Sequence, residues 1–326
     1  MAGPTATLVS GAGTAIIDSM SAETSQHSNE VDVTIVLPVY NESGHLEDEI
    51  SRIHKTMGES DYSYEIVVVD DGSTDGSGQR LANIDGIRLI RFATNRGSGS
   101  ARKYGTQSAS GRIVVWTDVD MTYPNDTIPD LLDSLDGYDQ VVGARKTEEG
   151  TVRLLRRPAK WLIRRLASYL TGVRIPDLNS GFRAFRRDVA DQFLYLLPRG
   201  FSCVTTLTMA FLSNGYSVRY VPIDYAPRAG ESKFHWWKDT RRYLLQVLRL
   251  TLMWEPMRIF GPPAAVLGIA GLAKLVYDLV DKDFRVATNT LVILGVSFAL
   301  ALIGMVADML VQLNKRPHDV MPATIE

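Results

Sequence analysis

The stretch Ile66-Val67-Val68-Val69-Asp70-Asp71-Gly72-Ser73 decides the fold of this chain. Its consecutive β-branched residues are typical of a strand that is buried on both faces, as strands of parallel sheets are. The two aspartates and the glycine that follow favour a turn, so the strand ends there. Because ligands of open α/β sheets bind at the carboxyl ends of the strands, these carboxylates predict part of a binding site.

Similar apolar runs lie on both sides of this stretch, and segments with helical periodicity separate them. The predicted strands are Val33–Leu37, Ile66–Val69, Ile87–Ile90, Ile113–Trp116 and Gln140–Val142. The predicted helices cover about 45–57, 76–82, 99–108 and 127–135. Strands that alternate with helices predict an α/β fold, in which helices cover both faces of a mostly parallel sheet.

The composition excludes several classes of protein. The chain has 326 residues and a formal net charge of −2, so it is not a globally basic nucleic-acid binder. Its single cysteine, Cys203, excludes an internal disulfide framework and a cysteine zinc cluster. A mean hydropathy of −0.03 fits a soluble protein, but the apolar residues are unevenly distributed.

The C-terminal part of the chain holds two long apolar runs. Residues 259–273 and 286–307 carry no charged side chain, and a membrane-spanning helix needs about 20 apolar residues. The first run reaches that length if Lys274 extends to the membrane interface. We therefore predict a two-helix transmembrane hairpin, with a buried hairpin of a soluble protein as the alternative. Basic residues flank the two outer ends, which predicts that those ends are cytoplasmic.

Two basic amphipathic segments, Arg153–Thr171 and Trp236–Trp254, precede the hairpin. Each is either a helix with a solvated charged face or a helix at the membrane interface. The predicted organisation is a disordered tail at 1–30, a catalytic domain at 31–228, juxtamembrane helices at 229–256, two transmembrane helices at 257–313 and a cytoplasmic tail at 314–326.

Three further motifs follow predicted strands or open predicted helices. Pro38-Val39-Tyr40-Asn41-Glu42 ends the first strand. Asn95-Arg96-Gly97-Ser98-Gly99-Ser100-Ala101 opens a helix, where glycines and the helix N-terminus favour a phosphate. Asp118-Val119-Asp120 follows the fourth strand and offers two carboxylates, which suit Mg²⁺ or Mn²⁺. Each motif alone is weak evidence, and their order along the chain strengthens all of them.

With Asp177-Leu178-Asn179-Ser180-Gly181-Phe182-Arg183 and Arg228-Ala229-Gly230-Glu231-Ser232-Lys233, these motifs resemble the family 2 glycosyltransferases of GT-A fold. Within that family the chain is similar to the polyprenyl-phosphate branch, which includes enzymes like dolichyl-phosphate mannose synthase and the bacterial polyprenyl-phosphate glucosyltransferases. The resemblance covers about 32–313, including the hairpin. It implies a Rossmann-like GT-A catalytic domain that uses a divalent cation, Mg²⁺ or Mn²⁺.

The resemblance also implies roles for individual residues. Nucleotide-sugar binding falls to Pro38, Tyr40, Glu42, Asp70, Asp71, Gly97 and Asp118. Asp118 and Asp120 would hold the cation on the donor diphosphate. Acceptor and phosphate binding falls to Arg145, Arg156, Arg157, Arg228, Ser232 and Lys233. Asp177, Asp120 and Arg183 are the implied catalytic residues, with Arg183 near the phosphates and Asp177 either a base or, as we favour, an orienting group.

The sequence departs from the family pattern at three positions. Val119 replaces the usual alanine between the metal-binding aspartates, which leaves both carboxylates in place. Thr122 stands where relatives often have a glutamine, so a third metal ligand is not implied there. Ser98 stands where a lysine often separates the glycines of the third motif.

The resemblance implies inverting transfer of one hexose from a nucleotide-diphosphate sugar of the UDP-glucose or GDP-mannose type to undecaprenyl, decaprenyl or dolichyl phosphate. The expected partners are therefore a nucleotide sugar, a polyprenyl phosphate and the lipid bilayer, without nucleic acid. The chain is expected to form a homo-oligomer, a tetramer. The expected location is the inner membrane, or the endoplasmic reticulum membrane in a eukaryote. The alternatives are a nucleotide-sugar-binding membrane scaffold and a processive polysaccharide synthase.

Overall fold

A computed structural model describes residues 31–146, 164–169, 171–200, 202–226, 236–281 and 284–314 of the chain. Five predicted acceptor-binding residues lie outside this described part: Arg156, Arg157, Arg228, Ser232 and Lys233. The predicted tail at 1–30 and most of the first amphipathic segment also lie outside it.

The strands of the described chain form one mixed sheet. They are β1 (Val33–Val39), β2 (Tyr64–Asp70), β3 (Ile87–Arg91), β4 (Ile113–Trp116), β5 (Gln140–Arg145), β6 (Arg183–Arg186) and β7 (Val218–Ile223). Their order across the sheet is β3-β2-β1-β4-β6-β5-β7. Strand β6 is antiparallel to both of its neighbours, and the other pairs are parallel. The mostly parallel sheet and the first five strands are thereby confirmed.

The helices of the described chain lie between and after these strands. They are α1 (Leu46–Gly58), α2 (Ser77–Leu81), α3 (Ser98–Gln107), α4 (Ile128–Asp133), α5 (164–169), α6 (Arg187–Asp191), α7 (Cys203–Ser213), α8 (Trp236–Trp254), α9 (Met257–Asp281) and α10 (Thr288–Asn314). The first four confirm the helices predicted from periodicity. Helix α8 spans the second amphipathic segment.

Alternate residues of β1 build the two layers of the core. Ile35 and Leu37 belong to one apolar cluster, which includes Ile50 of α1 and Leu131 of α4. Val36 belongs to the cluster on the opposite face. Burial of both faces explains why these strands are apolar almost throughout, since each side chain of the strand leaves water on folding.

Helices α9 and α10 form the predicted hairpin. Both are long and apolar enough to cross a membrane, with mean hydropathies of 1.7 and 2.5 over their most apolar windows, of which only 11% is buried. Such low burial disfavours the alternative of a soluble core hairpin. Small residues bring the helices together: Ser297 Oγ donates to the Ala264 carbonyl at 2.8 Å, and Gly271 packs on Leu294.

Lys274, which we expect to extend to the membrane interface, forms an ion pair within α9. Lys274 Nζ lies 3.4 Å from Asp278 Oδ1, and the Asp278 side chain is fully buried. The other oxygen of Asp278 accepts a hydrogen bond from the Ala287 N–H at 3.1 Å and one from the Thr290 hydroxyl. Asp278 of α9 therefore balances the lysine charge and caps the start of α10.

Candidate active site

Parallel pairing brings the predicted motifs to one edge of the sheet. Val39 pairs with Asp70, and Val36 pairs with Trp116, so β1, β2 and β4 end side by side. The loops that follow these three strands carry the predicted nucleotide-binding and metal-binding residues. This edge is therefore the candidate active site, as expected for the carboxyl ends of parallel strands.

Both aspartates at the end of β2, Asp70 and Asp71, are buried and hydrogen-bonded within the protein. Asp71 accepts hydrogen bonds from the backbone N–H groups of Arg96 at 2.7 Å and Gly97 at 2.8 Å. Asp70 accepts one from the Ser73 N–H at 2.9 Å and lies 3.5 Å from the Arg91 guanidinium. Burial raises the pKa of Asp71, although the two N–H donors oppose that shift. In this structure Asp71 holds the glycine-containing loop, so its contact with a nucleoside stays a prediction.

The loop after β1 is held against the loop after β2. Asn41 adopts a left-handed conformation with φ of 57°. Its side chain accepts a hydrogen bond from the Thr74 N–H at 2.8 Å, while the Ser77 hydroxyl accepts one from the Glu42 N–H at 3.1 Å. Tyr40 is 39% exposed, and Pro38 is partly buried at the end of β1. These contacts shape one wall of the candidate nucleoside pocket.

The N-terminus of α3 is filled by a carbonyl oxygen, which corrects the expectation of a phosphate site there. The backbone N–H groups of Gly99 and Ser100 both donate to the Arg199 carbonyl, at 2.8 and 3.3 Å. Gly97 has φ of 93°, and a Cβ there would lie 2.3 Å from the same oxygen. These glycines are needed for the close approach of the Arg199 loop, and the N–H groups of Gly99 and Ser100 are already used.

Asp118 and Asp120 follow β4, as predicted for the metal site. One oxygen of Asp118 accepts a hydrogen bond from Arg102 Nη2 at 2.6 Å. One oxygen of Asp120 accepts a hydrogen bond from the Thr122 hydroxyl, so Thr122 orients a carboxylate. Within the described ranges, no cluster of three His, Cys, Asp or Glu side chains is placed to hold a metal. A cation here would therefore need further oxygen ligands from a bound diphosphate or from water.

The surroundings of Asp118 fit such a cation. The side chain of Asp118 is 30% exposed, so a ligand can reach it. Gly181 lies against it, and a Cβ at that position would be 3.1 Å from Asp118 Oδ2. The absence of a side chain at Gly181 lets this segment pack closely against Asp118. A partly exposed carboxylate is a suitable donor for Mg²⁺ or Mn²⁺.

Asp177 and Arg145 form a buried, bidentate ion pair. Arg145 Nε donates to Asp177 Oδ2 at 2.7 Å, and Nη2 donates to Oδ1 at 3.0 Å. The Asn179 N–H adds a third hydrogen bond at 3.0 Å. Burial acts to raise the pKa of Asp177, but the hydrogen bonds and charge of Arg145 prevail and hold that pKa below its usual value. Asp177 is thus an ionised group that orients Arg145.

The structure corrects the prediction that Arg183 lies among the phosphates. The Arg183 side chain is fully buried. Its guanidinium donates to the carbonyl of Ser180, to that of Val204 at 2.8 Å and to the Thr208 hydroxyl at 2.9 Å. Burial lowers its pKa to about 10. Arg183 therefore ties the segment with Asp177 to helix α7 from the interior.

Two aromatic residues that the sequence analysis missed connect the metal loop with the Asp177 pair. The Tyr123 hydroxyl accepts the Gly181 N–H at 2.7 Å. The Tyr123 and Tyr225 rings meet edge to face with centroids 5.1 Å apart, and the Arg145 guanidinium lies over Tyr225 at 5.3 Å. No motif contains Tyr225, so only its position three residues before Arg228 could have drawn attention to it.

A second missed group lies behind the metal loop. The Asn125 side chain donates to the Asp118 carbonyl at 3.1 Å and to Glu49 Oε1 at 2.5 Å, and it accepts a hydrogen bond from the Thr117 hydroxyl. Glu49 is fully buried in α1. Glu49 stands among other acidic residues of α1, a pattern that is typical of a solvent-exposed helix face. The sequence therefore gave no sign that Glu49 accepts a buried hydrogen bond from Asn125.

Comparison with known proteins places this site in a family. Residues 34–194 match the model of glycosyl transferase family 2, and residues 255–313 match the GtrB C-terminal hairpin. An undecaprenyl-phosphate 4-deoxy-4-formamido-L-arabinose transferase of Klebsiella pneumoniae is 30% identical over 279 residues, which cover 82% of each chain. The enzyme of the same name from Edwardsiella ictaluri is 33% identical over 250 residues, which cover 73% of this chain and 74% of that one.

Solved structures share the fold. Glucosyl-3-phosphoglycerate synthase from Mycobacterium tuberculosis, in complex with Mn²⁺, uridine diphosphate and phosphoglyceric acid, superposes with a TM-score of 0.54 at 20% identity. The match covers 68% of this chain and 78% of that one. The fold is thus GT-A, with an added C-terminal hairpin. Because the chain matches the family model and has relatives at least 30% identical over most of its length, it belongs to glycosyl transferase family 2 and is a glycosyltransferase.

Proposed function

We propose that this glycosyltransferase moves one hexose from a nucleotide-diphosphate sugar to a polyprenyl phosphate, with inversion, at the cytoplasmic face of a membrane. One observation carries the proposal: the Asp118 and Asp120 carboxylates, suited to a donor diphosphate, lie in the same chain as a hairpin suited to a bilayer. The names of the relatives support an undecaprenyl-phosphate acceptor.

Asp118 and Asp120 are proposed to hold Mg²⁺ or Mn²⁺ on the donor diphosphate. When bound, the cation would supply positive charge against the leaving nucleoside diphosphate. The protein orients both carboxylates, through Arg102 on Asp118 and Thr122 on Asp120. The residues proposed to line the nucleoside pocket are Pro38, Tyr40, Glu42 and Asp71, with Asp70 and Gly97 beside them.

The acceptor chemistry explains why Asp177 is proposed as an orienting residue. A phosphate oxygen forms a bond to the anomeric carbon, and the bond from that carbon to the donor diphosphate breaks. The second pKa of a phosphate monoester is about 6, so the attacking oxygen is largely deprotonated at neutral pH. A general base is therefore unnecessary, and Asp177 instead fixes the guanidinium that meets the acceptor phosphate, Arg145.

The roles of the remaining acceptor-binding residues are proposed from the sequence motifs alone. Arg156, Arg157, Arg228 and Lys233 would surround the lipid phosphate with positive charge, and Ser232 would add a hydroxyl donor. In the sequence, Ser232 and Lys233 stand between the predicted catalytic domain and helix α8. A homo-oligomer, as a tetramer, completes the proposal and can be tested by measuring the mass of the detergent-solubilised protein.

Transfer of radiolabel into organic-extractable lipid tests the proposal. The full chain, in membranes, is given undecaprenyl phosphate and each labelled donor in turn: UDP-glucose, GDP-mannose and a UDP-linked 4-deoxy-4-formamido-L-arabinose. Transfer from UDP-glucose or GDP-mannose, lost on EDTA treatment and in Asp120→Asn, supports the proposal and identifies the sugar. Transfer from the arabinose donor alone, which carries a pentose, would contradict the hexose. Nucleotide binding without transfer from any donor would favour the scaffold, and a water-soluble polymer would favour a processive synthase.

A further inference from the structure

The chain that leaves strand β7 carries an aromatic residue that no motif and no step of the proposed reaction uses. Tyr225 follows the last residue of β7 by two positions, and its side chain is half-buried. The Arg145 guanidinium lies over this ring, with its Cζ atom 5.3 Å from the ring centroid. A guanidinium within about 6 Å of the centroid is attracted by the negative face of an aromatic ring. Tyr225 therefore contacts the arginine that we propose for the acceptor phosphate.

The pairing of two strands explains why these side chains meet. Arg145 ends β5 and pairs with Ile223, which ends the parallel strand β7. The Lys146 N–H donates to the Ile223 carbonyl at 3.2 Å, so the two chains stay adjacent past their last paired residues. Both strands thus end at the same corner of the candidate active site, and they bring Arg145 and Tyr225 together there.

Tyr225 is itself held by the loop after β4. The Ala226 N–H donates to the Thr122 carbonyl at 2.9 Å, which ties the backbone next to Tyr225 to that loop. The Tyr225 ring packs edge to face on Tyr123, with centroids 5.1 Å apart. Tyr123 is buried, and its hydroxyl accepts the Gly181 N–H at 2.7 Å. A ring that is held at its backbone and at its edge presents a fixed face to a neighbouring cation.

Asp177 and Tyr225 restrain the Arg145 guanidinium in different directions. Asp177 accepts hydrogen bonds from Nε and Nη2, which lie in the guanidinium plane. Tyr225 meets the guanidinium on its face. Stacking on a ring uses none of the N–H donors, so it limits tilting without competing with an anion for them. A guanidinium that is restrained in both directions loses less freedom when a phosphate binds.

We propose that Tyr225 is a positioning residue that holds Arg145 in the orientation in which it meets the acceptor phosphate. The inference rests on the proposed function, in which Arg145 binds that phosphate. It predicts that Tyr225 acts only through Arg145. Loss of the ring therefore weakens acceptor binding when Arg145 is present and changes nothing when Arg145 has been removed. A direct contact of Tyr225 with the acceptor would instead weaken binding in both cases.

The experiment measures equilibrium binding of radiolabelled undecaprenyl phosphate to the full chain in detergent micelles. We compare wild type with Tyr225→Leu, Tyr225→Phe, Arg145→Gln and the double variant of Tyr225→Leu with Arg145→Gln. We expect the Kd for undecaprenyl phosphate to rise about 3- to 30-fold in Tyr225→Leu, the range that a cation–π contact supplies. In Tyr225→Phe, which keeps the ring, the Kd should stay within about twofold of wild type. The double variant should bind as Arg145→Gln does.

A second cation–π pair of the same sheet supplies a matched control. Arg219 of β7 lies over the Tyr138 ring at 5.4 Å. Tyr138 precedes β5 and so lies near the opposite end of that strand from Arg145. Tyr138→Leu removes the same kind of contact and should leave the Kd for undecaprenyl phosphate unchanged. The Kd for UDP and the melting temperature of each variant show whether it folds.

A change of ring charge at nearly constant shape gives a second measurement. Pentafluorophenylalanine in place of Tyr225 reverses the charge of the ring face, which then repels a guanidinium. We expect this variant to bind undecaprenyl phosphate more weakly than Tyr225→Phe does. Because the two rings differ little in size, this comparison remains decisive if Tyr225→Leu does not fold.

The outcomes distinguish the inference from the proposed function. If wild type does not bind undecaprenyl phosphate, or if Arg145→Gln binds it as tightly as wild type, the proposed acceptor role of Arg145 is wrong and the inference is overturned with it. If Arg145→Gln weakens binding and Tyr225→Leu does not, only the inference is overturned. Equal weakening by Tyr225→Leu with and without Arg145, or equal Kd values for the two ring variants, would also overturn it.

Discussion

The Arg145 guanidinium holds the Asp177 carboxylate through two parallel hydrogen bonds, of 2.7 and 3.0 Å, although the two residues are 32 positions apart in the chain. Arg145 ends β5, and Asp177 lies in the segment that leads into β6. The side chains are 14% and 4% exposed, so the pair is shielded but Arg145 reaches the surface of the site. This arrangement makes Asp177 a fixed anchor for a cationic side chain.

Asp177→Asn tests that role. The amide removes the negative charge and one acceptor, so Arg145 loses its bidentate partner, while the Asp118 and Asp120 loop is untouched. A displaced catalytic group typically costs on the order of 100-fold in rate. We expect kcat for sugar transfer to fall by about that factor, with the Kd for the nucleotide within about twofold of wild type.

A neighbouring ion pair supplies the control for this variant. Asp224 lies 3.0 Å from Lys146, next to Arg145 in sequence, and its side chain is 87% exposed. Asp224→Asn makes the same chemical change in a solvent-exposed ion pair. Such a pair contributes little to stability, so kcat should stay unchanged. Wild-type turnover in Asp177→Asn would show that Asp177 has no essential role.

Gly99→Ala should destabilise the catalytic domain. A Cβ at Gly99 would lie 2.0 Å from the Pro198 carbonyl oxygen and 2.7 Å from that of Gly200. Since both neighbours are backbone atoms, the loop must move, and overpacking of this kind costs about 1–3 kcal/mol. The melting temperature of the full chain in detergent measures the effect. Gly58→Ala is the matched control, because no atom lies within 4 Å of its Cβ position; equal melting temperatures for the two variants would contradict the close approach.

Glu49→Gln should change how stability depends on pH. Burial raises the pKa of Glu49 above its usual value of 4.5, against the hydrogen bond from Asn125 and the charge of Arg52. A carboxyl group whose pKa is higher in the folded than in the unfolded protein destabilises the fold at high pH. The free energy of unfolding falls as the pH rises from the unfolded pKa through the folded pKa. The glutamine does not ionise and so avoids that cost. We expect the difference in melting temperature, variant minus wild type, to increase from pH 4.5 to neutral pH; a constant difference would contradict the raised pKa.

Asp278→Ala should loosen the start of α10. The variant removes the acceptor for the Ala287 N–H and the Thr290 hydroxyl and leaves Lys274 without its carboxylate. Loss of a capping side chain costs about 0.5–2 kcal/mol. Hydrogen exchange of the amides at 287–291 should therefore become faster. Asp281→Ala, an exposed acidic residue at the end of α9, serves as the control; equal protection in both variants would show that the cap contributes nothing.

Local patterns were sufficient for the parts of the fold that depend on local chemistry. β-Branched runs predicted β1 to β5, and two uncharged segments predicted α9 and α10. Strand β6 was missed because Arg183–Arg186 is short and begins and ends with arginine. Strand β7 was missed because Val218–Ile223 mixes polar and apolar residues at the sheet edge, where only part of the strand is buried.

The sequence by itself determined the α/β alternation, the acidic strand ends and the apolar hairpin, since periodicity and composition are properties of neighbouring residues. Only the tertiary structure decided the partner of each polar group. Asp118 pairs with Arg102, Asp177 pairs with Arg145, and the α3 N-terminus binds the Arg199 carbonyl. Arg183 is buried and not at the phosphates. Such pairs join distant segments, so they follow from packing, which no local pattern encodes.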